Sequence, residues 1–405
     1  MTIVYLHPHF SSPGGAGRFV LETASRLAGR GHDVHVVTIR ADAAVVGGAR
    51  DTIRFHELGG PLSSSLAFWV GFRAGCRRLA RILDQWPDAI VFAQPFPANW
   101  WGFHVKRRRP ESRLVWYCHE PSAFIHSRAW IGAIPGLMKR TLARLLNPLL
   151  RRIDLASARH VDLVYTNSDY TRAYARRVYG YAERLCRTAY PGADGRFRAA
   201  PALPRPRRVV TIGRLTAFKN VDVIIRAMAR LAGESTRGAE LHIIGEGDAR
   251  PALERLAAEL GVARQVVFRG RLDDAELVAA LQESRAFVLA SVDEPFGLVA
   301  VEAMACGTPA VVVGSGGPAE SVVDGVSGFH VPPRDYQALA DRLKLLLTDD
   351  VLMARLSEGA AARAAVFDWE RTVDELEAGF AELAQRASRS EKADGRVLRP
   401  GAEQG

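Results

Sequence analysis

Cysteine is scarce in this chain, and what there is of it is unpaired in spacing. The four residues, Cys76, Cys118, Cys186 and Cys306, are scattered with no C-x-x-C among them. That excludes a disulfide framework or a structural zinc site as the organising element and fits a reducing cytosol. Long apolar runs are missing too: nothing approaches the ~20 residues that a membrane-spanning helix needs. The opening MTIVYLHPHF has no basic leader and too short an apolar stretch for a secretory signal, so any membrane contact is expected to be peripheral. No D-x-D sequence occurs, and no residue grouping reads as a metal site.

What is present describes a large globular chain. With 405 residues, 48% of them hydrophobic and 24% charged, the sequence is too long for one ordinary core and too apolar for wholesale disorder. Two domains follow as the expectation. Lys and Arg outnumber Asp and Glu by 54 to 44, a formal charge of +10. Such an excess favours an anionic partner: a phosphorylated substrate, an anionic membrane surface or nucleic acid. Nothing in the sequence resembles a nucleic-acid-binding module, so nucleic acid is not expected.

Short β-branched runs alternate with longer helical patterns, the signature of βαβ units and parallel sheets. TIVYL reads as a strand, HPHFSSPGGAG as a loop, RFVLETASRLAGR as an amphipathic helix and HDVHVVTI as the next strand. DAIVFA, RLVWYCH and LVYTNS continue the series. The stretch 190–208 then holds four prolines and two glycines, which breaks the pattern and reads as a linker. A second series follows: RVVTIG, a helix from Val221 to Leu231, LHIIGEG, a helix from Arg250 to Leu260, QVVFRG and AFVLAS, with PAVVVG closing it. The expected organisation is an α/β domain over 1–195, a linker over 196–206, a second α/β domain over 207–365, a helix over 366–387 packing back on the first domain, and a disordered tail over 388–405. Two Rossmann-like domains with parallel sheets facing a central cleft would bind ligands at the carboxyl ends of their strands.

Four places could carry chemistry. In SSPGGAGR, Gly14, Gly15 and Gly17 permit close backbone approach, and the following helix offers free N–H groups to an anion; a plain tight turn is the alternative. The loop has neither dinucleotide nor P-loop spacing, which counts against a nicotinamide dehydrogenase. In TIGRLTAFKN, Arg214 and Lys219 follow a strand, and a planar fork beside a compact charge suits a diphosphate. His119 ends the strand in WYCHEP. Finally, EPFGLVAVEAMACGTPAVV sets Glu294 and Glu302 with seven residues between them, beside an Ala-rich run. Carboxylates accept hydrogen bonds from neighbouring sugar hydroxyls, although one capping and one salt-bridged glutamate would give the same spacing.

With these residues assembled, the chain resembles the family 4 retaining glycosyltransferases of GT-B fold. EPFGLVAVEAMACGTPAVVVGSGGPAESVVDGVSGF is similar to that family's E-x7-E block and the glycine segments after it. GRLTAFKN resembles its basic diphosphate motif, YPGAD the end of its first domain, and SSPGGAGR its first glycine loop. The resemblance implies transfer of a hexose, first of all mannose from GDP-mannose, with a UDP-hexose second, to an acceptor hydroxyl with retention and without metal. It implies donor diphosphate contacts for Arg214 and Lys219, ribose contact for Glu302, and sugar-hydroxyl contact for Glu294. Phe296, Gly297 and Leu298 of the same block fall at the substrate. His119 would lie beside the anomeric centre, Gly14 and Gly15 would approach phosphate or acceptor, and Glu320 would support the sugar-nucleotide loop. No cofactor is implied beyond the donor itself.

The acceptor is implied to be a cell-surface glycan or lipid-linked glycan. A segment over 136–160 combines leucines with lysine and arginine and is interrupted near Pro148. It reads as a basic amphipathic region able to lie on an anionic membrane. A core helix with a solvated basic face would show the same periodicity. The expected location is the cytoplasm, peripheral on the inner face of the cell membrane. A non-catalytic sugar-nucleotide-binding protein on the same fold is the alternative from another class.

Overall fold

The structure is a computed structural model, and it describes all residues except 12–13, 64, 128–130, 133, 135, 201–204, 232–235 and 395–405. Part of the expected linker, 201–204, and the end of the expected tail therefore lie outside the described residues. The chain forms two compact units. The first comprises Met1–Thr166, Arg172–Ala189 and the stretch from Glu370, and the second comprises Asn167–Thr171 and Tyr190–Trp369.

The first unit is built on a seven-stranded sheet in the order β3-β2-β1-β4-β5-β6-β7. Its strands are β1 (Thr2–Leu6), β2 (Asp33–Thr38), β3 (Arg54–Glu57), β4 (Ile90–Ala93), β5 (Arg113–Cys118), β6 (Leu163–Thr166) and β7 (Cys186–Thr188), all parallel. The central strands are buried on both faces, which is why they read as continuous apolar runs without alternation. The helices named below are α1 (Gly15–Gly29), α2 (Leu66–Leu83), α3 (Ala98–Arg108), α4 (Leu137–Ala158) and α5 (Asp169–Tyr179).

The second unit has a six-stranded sheet in the order β10-β9-β8-β11-β12-β13. Its strands are β8 (Arg208–Ile212), β9 (Glu240–Ile244), β10 (Val266–Gly270), β11 (Ala286–Leu289), β12 (Ala310–Val313) and β13 (Gly328–Val331), again parallel. Its helices are α6 (Val221–Arg230), α7 (Arg250–Glu259), α8 (Asp274–Gln282), α9 (Leu298–Ala305), α10 (Tyr336–Thr348) and α11 (Asp350–Ala364), and α12 (Trp369–Asp394) follows. PAVVVG was expected to close this sheet, but β13 lies outside it and pairs with β12. β13 is only four residues long, GFHV, and enters straight from a glycine-bearing turn, so it carries almost no pattern of its own.

Two further expectations are corrected. Helix α4 runs unbroken through Pro148. The missing N–H leaves the carbonyl four residues back, on exposed Arg144, without a helical partner, and water can supply one there. Helix α12 continues through Asp394, beyond the expected start of the tail at 388. No glycine or proline interrupts the sequence between Gly379 and Gly395, so nothing stops the helix earlier.

Helix α12 belongs to the first unit from Glu370 onward. Phe380 meets Phe92 edge-on at 5.1 Å, and Tyr165 Oη donates to the Glu375 carbonyl at 2.7 Å. Arg30 gathers Glu370, Asp374 and Glu377 around one guanidinium.

Gly192 of the YPGAD stretch packs against the chain at Asp368 and Trp369, and Ala193 N donates to the Phe367 carbonyl at 3.0 Å. A Cβ on Gly192 would fall on Trp369 N. Gly192→Ala is therefore expected to cost about 1–3 kcal/mol or more, whereas Gly14→Ala, with nothing within 4 Å of the added carbon, is expected to be close to neutral. Urea unfolding of the two variants checks this; equal midpoints would refute it.

Candidate active site

Both sheets change winding direction once, between β1 and β4 in the first unit and between β8 and β11 in the second. At such a point the loops leaving neighbouring strands diverge and open a crevice at the carboxyl edge. The sequence-derived candidates fall on these two edges.

In the second unit, β8 ends at Ile212 and leads through Gly213 to Arg214 and Lys219. A small depression is lined here by Gly213, Arg214, Lys219 and Leu289 among others. Arg214 is exposed, and its guanidinium makes no hydrogen bond or ion pair among the described residues. Lys219 Nζ meets Glu294 Oε2 at 2.8 Å, in a pair that is part-buried on both sides. The turn carrying Lys219 ends at Asn220, whose left-handed backbone (φ 48°) starts α6 and whose side chain donates to the Ala290 carbonyl at 3.0 Å. That bond ties the basic turn to the end of β11, from which the Glu294 loop departs. A larger depression lies at Thr2, Ile90 and Arg113. These are the amino ends of β1, β4 and β5, the wrong edge of a parallel sheet for a ligand.

The Glu294 loop is held by contacts that admit no side chain. A Cβ on Gly316 would sit 2.9 Å from Glu294 N, and one on Gly317 would meet the Pro295 carbonyl. Gly317 N donates to the Glu294 carbonyl at 2.8 Å. From Asn167–Thr171, Ser168 Oγ donates to the Pro295 carbonyl at 2.6 Å and Thr171 Oγ1 to the same atom at 3.2 Å. Gly297 then takes φ 77° to start α9, which has neither a capping side chain nor an acidic residue in its first turn. Its N-terminus keeps backbone donors and a positive dipole end for an anion. Glu302, in the second turn of α9, is only 3% exposed.

Two expected substrate residues have other work in this structure. Phe296 is 4% exposed and packs its ring against Tyr190 and Phe367 at 6.0 and 5.7 Å, so only its backbone is left to face a ligand. Glu320 accepts hydrogen bonds from Asp169 N at 2.9 Å, from Tyr170 N and from Tyr190 Oη at 3.0 Å. It thus caps the start of α5 from about 150 residues away in sequence, a partnership that local pattern does not reveal. Burial and the Glu320 charge push the Tyr190 phenol up, which keeps it a donor.

In the first unit, the residues directly after β1, β4 and β5 are His7, Gln94 and His119, on three adjacent strands. His119 Nε2 donates to Gln94 Oε1 at 3.2 Å in the tautomer this contact requires, and its ring meets Tyr117 and Phe19. Burial lowers the His119 pKa, so the ring is neutral near pH 7. His7, packed on Phe10, is pushed down to about 3, first by burial and then by His119 and His9. His7 Nδ1 and Gln94 Nε2 are buried and have no hydrogen-bond partner among the described residues. Such groups are rare enough to mark a place where a ligand or water completes the set. Sequence reasoning picked out His119 alone. The strand-end rule that found it also fits TIVYLH and IVFAQ, and would have found His7 and Gln94.

Gly14 and Gly15 are exposed, and a Cβ added to either would have nothing within 4 Å; one added to Gly17 would lie in ordinary contact with Phe10 and His7. The fold therefore does not require glycine at 14 and 15. Gly14 has extended backbone (φ −169°), and α1 begins without a side-chain cap or an acidic first turn. Its donors, like those of α9, are left for an anion. Cys306, pushed up to about 12 by burial and then by the Glu302 charge, is a protonated core thiol and no nucleophile. Among the described residues no group of three or more His, Cys, Asp or Glu is placed to hold a metal ion.

Two doubly wound parallel sheets, each with polar groups at its winding switch, are the architecture of the GT-B glycosyltransferases. Residues 13–196 match the family described as Glycosyltransferase Family 4, and residues 196–363 match Glycosyl transferases group 1. The glycogen synthase of Mycobacterium tuberculosis is 30% identical, over 88% of this chain and 88% of that protein. The D-inositol 3-phosphate glycosyltransferase of Mycolicibacterium smegmatis is 29% identical, over 92% of this chain and 87% of its own. The solved structure of Anabaena HepE in complex with UDP-glucose matches with a TM-score of 0.76 at 21% identity, covering 94% of this chain and 100% of that one. The chain belongs to glycosyltransferase family 4 and is a glycosyltransferase.

The buried His7 gives the first unit an acid limit. An unfolded chain takes up a proton on this ring as the pH falls through about 6.5, and the native state does so only near 3. Stability is therefore full above that window and falls within it, by up to about 1.4 kcal/mol per pH unit from this residue. His7→Phe is expected to flatten the dependence in urea unfolding between pH 7 and 4; an unchanged slope would rule His7 out as the source.

Proposed function

We propose that this glycosyltransferase is a retaining, metal-independent hexosyltransferase that acts on a nucleotide diphosphate sugar in the cytoplasm. The observation that carries the reading is the Lys219–Glu294 pair at the β8/β11 switch, beside the unengaged Arg214. It sets a cation suited to a diphosphate next to a carboxylate suited to sugar hydroxyls. In the reaction the bond from the anomeric carbon to the leaving phosphate oxygen breaks, and a bond from that carbon to the acceptor oxygen forms on the same face. The acceptor proton passes to the departing phosphate. Charge growing on the diphosphate is met by Arg214, Lys219 and the uncapped start of α9, which need no reorganisation as it develops.

Glu302 holds the ribose, and Glu294 orients the sugar through its hydroxyls. Gly297 and Leu298 offer backbone N–H groups, Phe296 its backbone only, and Glu320 acts through the loops it braces. Neutral His119 serves as a hydrogen-bonding group and not as an acid, with Gln94 and His7 completing its polar set. Gly14, Gly15 and Gly17 leave room for acceptor or phosphate.

The family resemblance pointed first to GDP-mannose, whereas HepE has been seen with UDP-glucose, which favours the UDP-hexose alternative. The acceptor in this reading is a glycan or lipid-linked glycan of the cell surface, and the enzyme works peripherally at the inner face of the membrane.

Thermal-shift titration separates the donors: UDP or GDP should raise the melting temperature and NAD should not. Stabilisation by NAD alone would sink the reading. Lys219→Ala and Glu294→Gln are each expected to slow turnover of the stabilising donor by roughly 100-fold or more with the fold intact. Full activity in both, and in His119→Ala, would show the assignments to be wrong. Gly15→Val should also abolish most turnover without shifting the melt, because the fold leaves space there and only a ligand would object.

A further inference from the structure

Helix α4 is amphipathic in the reverse of the usual sense. Its inward side carries Ala143, Asn147, Leu150, Asp154 and Ser157, and it is fastened by polar bonds. Asp154, 0% exposed, accepts from Trp100 Nε1 at 2.7 Å and Tyr179 Oη at 2.8 Å and pairs with His126 Nε2 at 2.8 Å. Asn147 donates to the Ile125 carbonyl at 2.8 Å. The outward side holds Met138, Leu142, Leu145, Leu146, Leu149 and Ile153, all exposed, Met138 by 83% and Leu145 by 73%. At 3.6 residues per turn these fall on one stripe. Lys139 borders it on one side and Arg152 on the other, with exposed Arg144 and Arg151 further round the helix beyond Arg152.

We propose that this face docks on an anionic lipid bilayer, with the leucines in the acyl boundary and the basic residues among the headgroups. An apolar stripe of this size is seldom left in water. Its fringe is purely cationic, because Asp154 is the helix's one acidic residue and is buried. A second copy of the same face would bring arginine against arginine, whereas a bilayer carrying negative headgroups matches the fringe and takes the stripe. Among the described residues no helix is long and apolar enough to cross a membrane, so the attachment lies in the surface plane. The inference gives the peripheral location in the proposed function a physical seat, but it stands on α4 alone and not on the donor chemistry.

Flotation of the full-length protein with phosphatidylglycerol or phosphatidylcholine vesicles tests it. Binding is expected to phosphatidylglycerol at low salt, at least tenfold weaker to phosphatidylcholine, and reduced in high salt. Leu142→Gln/Leu145→Gln/Leu149→Gln should lose more than about tenfold in vesicle affinity. It should keep its melting temperature and its hydrolysis of the donor sugar, since these side chains are outside the core and the donor site. Lys139→Gln/Arg152→Gln should weaken binding and its salt dependence together. No binding by the wild type, or equal binding by the leucine variant, overturns the proposal. So does sedimentation showing a dimer that the leucine variant disperses without any vesicle binding. Loss of donor hydrolysis with vesicle binding intact would count against the catalytic reading instead.

Discussion

The carboxyl edge of the second sheet depends on backbone lying against backbone with nothing between. A Cβ on Gly245 would meet the Gly213 carbonyl, one on Gly247 the Leu215 carbonyl, and Gly316 and Gly317 stand in the same relation to residues 294–296. Gly213 N, Leu215 N and Ala249 N then bond across at 3.0 Å each. These contacts fix the loops bearing Arg214, Lys219 and Glu294 without using side chains, which leaves the side chains for a ligand. A charged pair on a floppy loop would lose its geometry to chain entropy. Here the close packing has already ordered the backbone.

That economy recasts the positive charge. A surplus of ten invites the idea of one broad anionic partner, yet many arginines are spent inside the protein on carbonyls. Arg205 donates to the carbonyls of Ser284, Cys306 and Gly307, Arg363 to those of Glu320 and Ser321, and Arg285 to that of Leu346. Arg78, Arg109 and Arg113 do the same in the first unit for Leu58, Leu83 and Asp88. The planar guanidinium suits this task, since it reaches several carbonyls at once. Two local groups of cations bear on a partner: Arg214 and Lys219 at one sheet edge, and the fringe of α4.

The parallel sheets were legible because doubly buried strands leave uninterrupted apolar runs, and the glycine motifs because each marks a close approach. The positions of His119, Arg214 and Glu294 beyond strand ends also follow from strand-end logic. What escaped had no local signal or a misleading one. β13 is four residues against a turn. Glu320 serves a helix cap distant in sequence, and Phe296, in the middle of a functional block, is a core ring. Pro148 reads as a break but is tolerated where its orphaned carbonyl is open to water. Tertiary surroundings decide all four, and a window of a dozen residues does not contain them.

Helix α4 shows a deeper reason. Periodicity establishes that a helix has an apolar face but says nothing about which way that face points. For most helices burial of leucine settles the direction, since each is worth about 1.5–3 kcal/mol when removed from water. In α4 the choice goes the other way, and a carboxylate takes the inward place. A buried carboxylate is costly unless fully bonded, and Asp154 is bonded by Trp100, Tyr179 and His126 on three separate segments. Those three partners can be satisfied together in only one rotation of the helix. The same lock that holds Asp154 in therefore holds the leucines out. The exposed stripe is a consequence of specific bonds on the far side of the helix, and a surface held in that way is free to meet something that is not protein.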